Sequence, residues 1–556
     1  MLYNILHDNP DQSLLQRLFH IRHIDDELED FLYPTFKRYR SSRKSFSHVS
    51  RATQRVAEAM QHNEKIMIFG DYDVDGILSS FIMYIFFRDY VGYKNISLRL
   101  PHRVHDGYGI KIHHLDEIQT TGTKLIITVD NGITAIQEAI YAKQLGIDMI
   151  ITDHHKPLDQ LPESYALFNP QCEDGLEFKE VCGTTVAAKF CLAVAHQLWR
   201  SHEQKQQWVN DILPYLAIAT VADCMPLIGE NRLIVKKGLE LMNTHRKQLH
   251  KPLQTMLDFL NIKQIDTFHI GFVIAPRLNA TGRIGHALDG LKALLSKSPQ
   301  KQRSYLEHMD RLNGERKQIQ EQMIQEVMQK VDLEKQLLRA ASPSFHEGVV
   351  GIVAGRISEK YQKPSLIMSI NEKKGVATGS LRWPEAFNIV EMLKTAHSLL
   401  TRYGWHAQAG GLTVSLDNLH DAVQLFDGFC SENLSQSSDE RSLSIDTILY
   451  PHELNRTTLK DILLFGPYGE GNPEPLFLID DVVILQAQQI GGKTGSSHLK
   501  LQVKKENVTF TVLQRWKGDT INSLPKQQPL QLVWKIKEDT FSGGRYMDAK
   551  HIITPF

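Results

Sequence analysis

Three stretches of this chain run apolar residues directly into acidic clusters: KIMIFG into Asp71-Tyr72-Asp73-Val74-Asp75-Gly76, KLIITV into Asp130-Asn131-Gly132, and DMIIT into Asp153-His154-His155. A fourth acid, Asp223, follows the apolar segment YLAIATVA. Short, continuous β-rich runs separated by helical patterns of about 10–15 residues read as buried parallel strands. In an open parallel sheet the loops at the carboxyl ends of the strands gather in one crevice, so acids far apart in sequence meet there. Carboxylates crowded into one pocket repel and raise each other's pKa unless cations neutralise them. The pattern therefore predicts bound metal, as a pair of ions.

The chain has 556 residues, too many for one core, and three or four domains are expected. Its 63 basic and 64 acidic residues leave a formal charge of -1, so a nucleic-acid partner has to be held by a local basic channel. The five cysteines (Cys172, Cys182, Cys191, Cys224, Cys430) lack paired CxxC spacing and read as reduced core residues of an intracellular protein. Met1-Leu-Tyr-Asn-Ile-Leu-His-Asp lacks a basic region followed by an apolar core, which argues against secretion. The longest apolar run, Ile77 to Phe87, is too short for a membrane span and reads as the first core helix.

The expected fold class is α/β: two α/β lobes, the first built on a parallel sheet and the second smaller, joined by a long helix and followed by an all-β, OB-like module. Residues 1–60 read as a helical lead-in covering the next domain, and 61–303 as the sheet domain with a helical extension. Residues 304–340, without Gly or Pro after Gly314, read as a long solvated connecting helix. A second α/β unit is expected over 341–440, ending in the polar run SENLSQSSDERS, and the strand-rich module over 441–556.

Oxygen-rich ligands with one imidazole suit magnesium or manganese. Two such ions can generate hydroxide and stabilise the attacking and leaving oxygens at phosphorus, which points to phosphoester hydrolysis. Each motif alone has an ordinary explanation. DYDVDG fits a calcium-type loop or solvated turn, though without the terminal Glu of an EF-hand; VDNG fits a strand-ending turn; His154 and His155 fit a sheet edge; Asp223 fits a helix end. The signal is the conjunction of the four.

DYDVDG, VDNG, TDHH and VADCMPL resemble, in order, the four motifs of the DHH phosphoesterase superfamily. The resemblance extends through PHRVHDGYG, GENR, APRLNATGR, EGVVGIVAGR, GSLR, GWHAQAGGL and FGPYGEGNPEP, and is closest to the superfamily's exonucleases on single-stranded DNA. It implies that Asp73 and Asp75 each hold a different metal, Mn2+ or Mg2+, with Asp71 near the first and Asp130 bridging. It implies further that His154 and Asp223 complete the second ion's shell, that His155 faces the phosphate, and that Asp153 orients a histidine. Arg103, Arg277, Asn279 and Arg283 resemble backbone-phosphate ligands, with Gly282 allowing close approach. Arg356, Ser380, Arg382 and His406, with Gly410 and Gly411 behind them, resemble the wall that closes over the crevice, Ser380 and Arg382 taking a terminal 5′ phosphate. Trp405 stands where the family pattern usually has Gly. In the last module Lys493, Lys500, Lys504, Lys505, Arg515, Trp516 and Lys517 suit sequence-independent strand binding, and equally suit protection of an edge strand.

The resemblance implies a cytoplasmic, monomeric 5′→3′ exonuclease releasing mononucleotides from single-stranded DNA in repair and recombination, served by a helicase and a single-strand-binding protein. The alternatives are a phosphodiesterase of the same superfamily acting on short oligonucleotides, and a non-catalytic single-strand-binding scaffold.

Overall fold

The structure is a computed structural model that describes residues 3–24, 28–37, 46–198, 201–383, 389–406, 409–434, 443–453, 455–491, 497–515, 517–524, 528–538 and 545–553. The first lobe is built on five parallel strands, β1 (Lys65–Phe69), β2 (Ile96–Arg99), β3 (Thr123–Val129), β4 (Asp148–Thr152) and β5 (Ala166–Phe168), in the spatial order β2-β1-β3-β4-β5. Alternate residues of the apolar runs serve opposite faces. Ile66, Ile68, Leu125, Ile127 and Ile150 join one core, while Met67, Phe69, Ile126, Met149 and Ile151 join another. Both faces are therefore covered by helices, which explains strands without polar alternation. Phe69 pairs with Thr128, and Val129 with Thr152, so the acids that follow these strands emerge side by side. The strand order reverses between β1 and β3, and that is where an open α/β sheet forms its crevice.

The expected first core helix is α1 (Val74–Ile85), whose N-terminus is capped by the Asp73 carboxylate accepting from the Gly76 N–H at 3.0 Å. Helix α2 (Gly183–Leu198) and helix α3 (His202–Ala222), which ends on Asp223, pack on the same face of the sheet. A helical extension leads to α4 (Ala275–Ile284), which carries APRLNATGR. That segment is therefore helical.

The long helix, α5, runs Pro299–Lys330, starting and ending earlier than the expected 304–340. Ser298 caps it and Pro299 occupies its first turn, a favoured place for proline. It is also less solvated than a free connector: Leu306, Met309, Leu312, Met323 and Val327 are buried. Beyond it, β6 (Leu338–Ser342), α6 (Val350–Tyr361), β7 (Ser365–Asn371), β8 (Val376–Arg382), β9 (Leu400–His406) and β10 (Ala409–Ser415) form a second lobe with sheet order β9-β10-β8-β7-β6. Its strands are antiparallel except for the β6–β7 pair.

The C-terminal module closes β11 (Phe477–Gly491), β12 (Ser497–Lys505), β13 (Val508–Gln514), β14 (Leu530–Glu538) and β15 (Arg545–Ile553) into a barrel. β11 pairs with both β12 and β14, and β13 runs parallel to β15. This is the OB arrangement expected from the short alternating strands. The lead-in differs from expectation. Tyr3–Ile5 pairs in parallel with Leu443–Ile445, and Leu18, Phe19 and Phe31 pack into the core of the C-terminal module. The Lys37–Arg55 stretch lies partly outside the described residues; Ala52, near its end, packs on the first lobe. Among the described residues no helix is long and apolar enough to cross a membrane.

The first lobe is fastened to the C-terminal module by Arg232, from GENR. Its fully buried guanidinium donates to the carbonyls of Phe31 (2.8 Å), Phe465 (2.7 Å), Leu464 (3.0 Å) and Gly466 (2.9 Å), and lies 3.7 Å from the centre of the Phe31 ring. Burial lowers its pKa to about 10. Replacing it strands four buried carbonyls, so Arg232→Ala is expected to weaken the docking by roughly 3–5 kcal/mol. Limited proteolysis checks this: the variant should release a C-terminal fragment of the barrel that the wild type protects, and equal resistance would contradict the fastening role.

Candidate metal centre and strand-binding crevice

Asp71 and Asp73 follow β1, Asp75 lies in the first turn of α1, Asp130 follows β3, His154 follows β4 and Asp223 ends α3. The crevice brings all six together. Ligand atoms of Asp71, Asp73 and Asp130 lie within 4.8 Å of one another, as do those of Asp75, His154 and Asp223. His154 Nε2 is 3.1 Å from Asp130 Oδ1, 3.6 Å from Asp223 Oδ2 and 3.7 Å from Asp75 Oδ2, so Asp130 stands between the two groups. Asp130 reaches that place with φ +61, the left-handed conformation that an aspartate tolerates better than most residues.

The electrostatics of this cluster are those of a cation site. Burial first, and then neighbouring carboxylates, push the pKa values of Asp71, Asp130 and Asp223 well above the ordinary range. Burial holds His154 down at about 4, so it is a neutral ligand. Asp71 Oδ1, Asp130 Oδ1, His154 Nε2 and Asp223 Oδ2 are buried without a hydrogen-bond partner. Buried orphan acceptors are costly, and divalent cations satisfy them while offsetting the repulsion. Carboxylate oxygens with one imidazole fit Mn2+ or Mg2+.

The surrounding residues hold this cluster in shape. Asp75 accepts from the backbone N–H groups of Gly183 (2.5 Å) and Thr184 (2.8 Å) and from the Thr184 hydroxyl (2.5 Å), at the N-terminus of α2. A Cβ at Gly183 would sit 2.6 Å from Asp130 Oδ1, which requires glycine there. Asp153 lies beside Asp130 and His154, accepts from the His154 N–H at 2.7 Å and engages His155 Nδ1 at 2.8 Å. It also accepts from the Ile133 N–H at 3.0 Å. Burial opposes charge on both members of this pair, but their mutual attraction prevails, setting Asp153 at about 2 and His155 at about 9. Tyr108, from PHRVHDGYG, lies 3.1 Å from His155 Nδ1 and donates to the Asp130 carbonyl at 3.2 Å. Sequence reasoning misses Gly183, Thr184 and Tyr108; CGTT at a helix start and the Tyr between two glycines are the available signals.

A group of arginines lies beside the acids. Arg283 is held at about 9 by burial and by repulsion from Arg103, Arg316 and Arg382, against the attraction of Asp73. It donates to the Gly348 carbonyl at 3.2 Å. Arg103 lies 4.1 Å over the Tyr72 ring with a buried, unpartnered Nε. Arg382 donates to Ser380 Oγ at 2.7 Å and is lowered to about 10 by burial. Among the described residues, Arg103, Arg283 and Arg382 have no carboxylate ion-pair partner, so an anionic ligand would satisfy them. Arg316, on α5, is a further member that sequence reasoning misses, because a long polar helix shows no sign of which arginine turns inward.

Other expected residues take different roles. Arg277 pairs with Asp310 at 2.8 Å and donates to the Val273 carbonyl at 2.7 Å. Arg356 is exposed, 3.9 Å from Glu321 and near enough to repel Arg316, while a Cβ at Gly351 on the same helix would lie 3.1 Å from Arg382. Asn279 Oδ1 accepts from the Val74 N–H at 3.2 Å, tying α4 to the DYDVDG loop. A Cβ at Gly282 would lie 2.2 Å from the Tyr72 carbonyl oxygen, so this glycine serves packing of backbone on backbone. Gly410 and Gly411 lie in a strand paired on both sides, not in a turn with free N–H groups. Gly411 is opposite both Ser380 and Gly404, leaving the sheet bare beside that serine. Trp405 and His406 belong to β9, but their side chains lie outside the described residues.

Of the basic positions on the barrel, Lys500 and Lys504 are exposed, Lys505 pairs with Asp480, and Arg515 lies 3.9 Å from Asp548. Lys517 is exposed, whereas Lys493 and Trp516 lie outside the described residues.

Residues 65–220 match the DHH family N-terminal domain, 334–432 the DHHA1 domain and 445–551 the RecJ OB domain. The chain is 31% identical to the single-stranded-DNA-specific exonuclease RecJ of Bacillus subtilis over 84% of this chain and 58% of that protein. It is 29% identical to the RecJ of Haemophilus influenzae over 96% of this chain and 94% of that one. With the RecJ of Salmonella typhimurium it shares 30% identity over 90% and 89% of the two chains. The crystal structure of RecJ from Thermus thermophilus in complex with Mn2+ has the same fold, with TM-score 0.80, 24% identity, and coverage of 98% of this chain and 76% of that one. A structure of exonuclease RecJ bound to manganese superposes with TM-score 0.60 and 26% identity over 71% of this chain and 97% of the other. The chain belongs to the RecJ family.

Proposed function

We propose that this protein is a metal-dependent exonuclease that degrades single-stranded DNA from the 5′ end to mononucleotides. The observation that carries the reading is the convergence of six metal-ligand side chains, four of them with buried orphan atoms, beside arginines that lack acidic partners. RecJ relatives are named as single-stranded-DNA-specific exonucleases, and related structures hold Mn2+ or Mg2+.

In this reading Asp71, Asp73 and Asp130 would hold one ion and Asp75, His154 and Asp223 the other, with Asp130 placed between the two groups. Bound ions of this kind supply Lewis acidity toward phosphate and lower the pKa of water. His155, kept cationic by Asp153 and braced by Tyr108, lends positive charge to the scissile phosphate. Arg103 and Arg283 seat the strand's backbone, and Asn279 fixes α4 against the metal loop. Ser380 and Arg382 take the terminal 5′ phosphate, which sets the polarity of cleavage. Residues 61–303 act as the catalytic domain, 341–440 as the cover over the strand and 441–556 as a single-strand-binding barrel. The cell compartment is the cytoplasm, the protein works as a monomer in repair and recombination, and its supply of single strands comes from a helicase and a single-strand-binding protein.

The main test is digestion of single strands labelled at either end, with Mn2+ and with chelator. Metal-dependent release of mononucleotides from the 5′ end is expected. Binding without cutting would favour a scaffold, and faster turnover of a dinucleotide would favour a short-oligonucleotide phosphodiesterase. Asp130→Ala should abolish cleavage, by at least about 10³-fold, while strand binding stays measurable. Appreciable turnover in that variant would remove Asp130 from the shared position. Arg382→Ala should reduce the preference for a 5′-phosphorylated end by roughly tenfold, the scale of one lost charge-assisted contact. If the two substrates keep their wild-type ratio, the terminal phosphate is bound elsewhere. Metal linkage offers a check without turnover: Mn2+ should raise the unfolding temperature of chelator-treated wild type and should do far less for Asp130→Asn. Equal shifts in the two proteins would mean that Asp130 is not a ligand.

A further inference from the structure

Phe272 is the most exposed large hydrophobic residue among those described, at 70%, and Phe268 is 59% exposed. Their rings stack on each other, with centroids 4.9 Å apart and an interplanar angle of 26°. Surface phenylalanines scattered singly need no explanation, but a stacked pair left in water presents aromatic surface that a ligand can cover. The pair lies between the two proposed strand-binding elements. On one side, the turn of helix bearing Phe272 (Ile270–Ile274) runs without interruption into α4, whose less buried side carries Asn279 and Arg283 to the metal crevice. On the other, Thr267, next to Phe268, donates its hydroxyl to the Tyr468 carbonyl at 2.7 Å, in the segment that leads into the barrel.

We propose that Phe268 and Phe272 form a base-stacking platform that carries the single strand from the metal crevice toward the C-terminal barrel; this rests on the nuclease reading above. The chemistry favours a nucleic-acid strand over a protein partner. A stable protein interface needs about 800 Å² of surface on each side, whereas the feature seen here is one stacked pair of rings. Stacking needs only ring faces, and every base has one, so such a platform holds a strand without reading its sequence. The bases, not the phosphates, are what it grips.

The test uses the full-length protein with Mn2+ and 5′-phosphorylated strands of ~20 nucleotides in which single abasic positions are walked from the 5′ end. For the wild type, KM is expected to rise severalfold when the missing base falls within one internal window. F268A/F272A should raise KM on the intact strand about tenfold, equivalent to ~1.4 kcal/mol, and abolish the window. The rise should be smaller for a trinucleotide, and F268W/F272W should restore the window. If F268A/F272A keeps the wild-type KM and the wild-type abasic profile while both enzymes digest intact strands, the platform is wrong and the nuclease reading stands. A wild type that cuts no strand at all overturns the nuclease reading, and the platform with it.

Discussion

Five carboxylates and an imidazole share one water-poor crevice, and the rest of the molecule is organised around making that arrangement tolerable. Left to themselves the acids would take up protons, as the upward shifts of Asp71, Asp130 and Asp223 show. Three features of the fold oppose that collapse. The parallel sheet fixes the strand ends so that the acids cannot move apart. The N-terminus of α2 gives Asp75 three donors. The third is local order: Asp130 is fixed in a left-handed conformation, and Gly183 leaves room for it. Such a preorganised nest of acceptors favours divalent cations over protons, because an ion of charge two answers several carboxylates at once.

Much of this is legible in the sequence because apolar runs ending in acids encode position as well as identity. A strand of the parallel sheet delivers its next residues to a known edge, so Asp71, Asp130 and His154 can be placed together with no knowledge of the loops. Asp223 is harder, since it comes from a helix, and only its conjunction with the other motifs marks it. What escapes are residues whose role depends on orientation. Tyr108 and Thr184 act through a few hydrogen bonds, and Arg316 through the side of α5 on which it falls. Composition cannot reveal these.

The glycines and arginines show where sequence signals are ambiguous. Glycine in sequence signals turns and anion contacts, yet Gly282 lets α4 approach the Tyr72 carbonyl, and Gly410 and Gly411 lie inside a paired strand. Arginine signals phosphate, yet Arg277 and Arg356 face carboxylates on α5. Among the described residues Arg103, Arg283 and Arg382 form no ion pair, although Asp71 and Asp73 lie close enough to Arg103 and Arg283 to attract them. A buried guanidinium without an ion pair is the criterion that separates them, and it exists only in three dimensions.

Arg232 shows how far this criterion reaches. It too is buried with no carboxylate, and from charge alone it would count as an anion site. Its donors, however, are spent on the carbonyls of Phe31, Leu464, Phe465 and Gly466, whereas Arg103 keeps a buried donor unpaired. The distinction between a structural and a ligand-seeking arginine is therefore a count of satisfied donors. GENR and FGPYGEGNPEP, which look like chemistry in sequence, are the two halves of a joint. That joint fixes the barrel against the first lobe by gathering four carbonyls on one guanidinium.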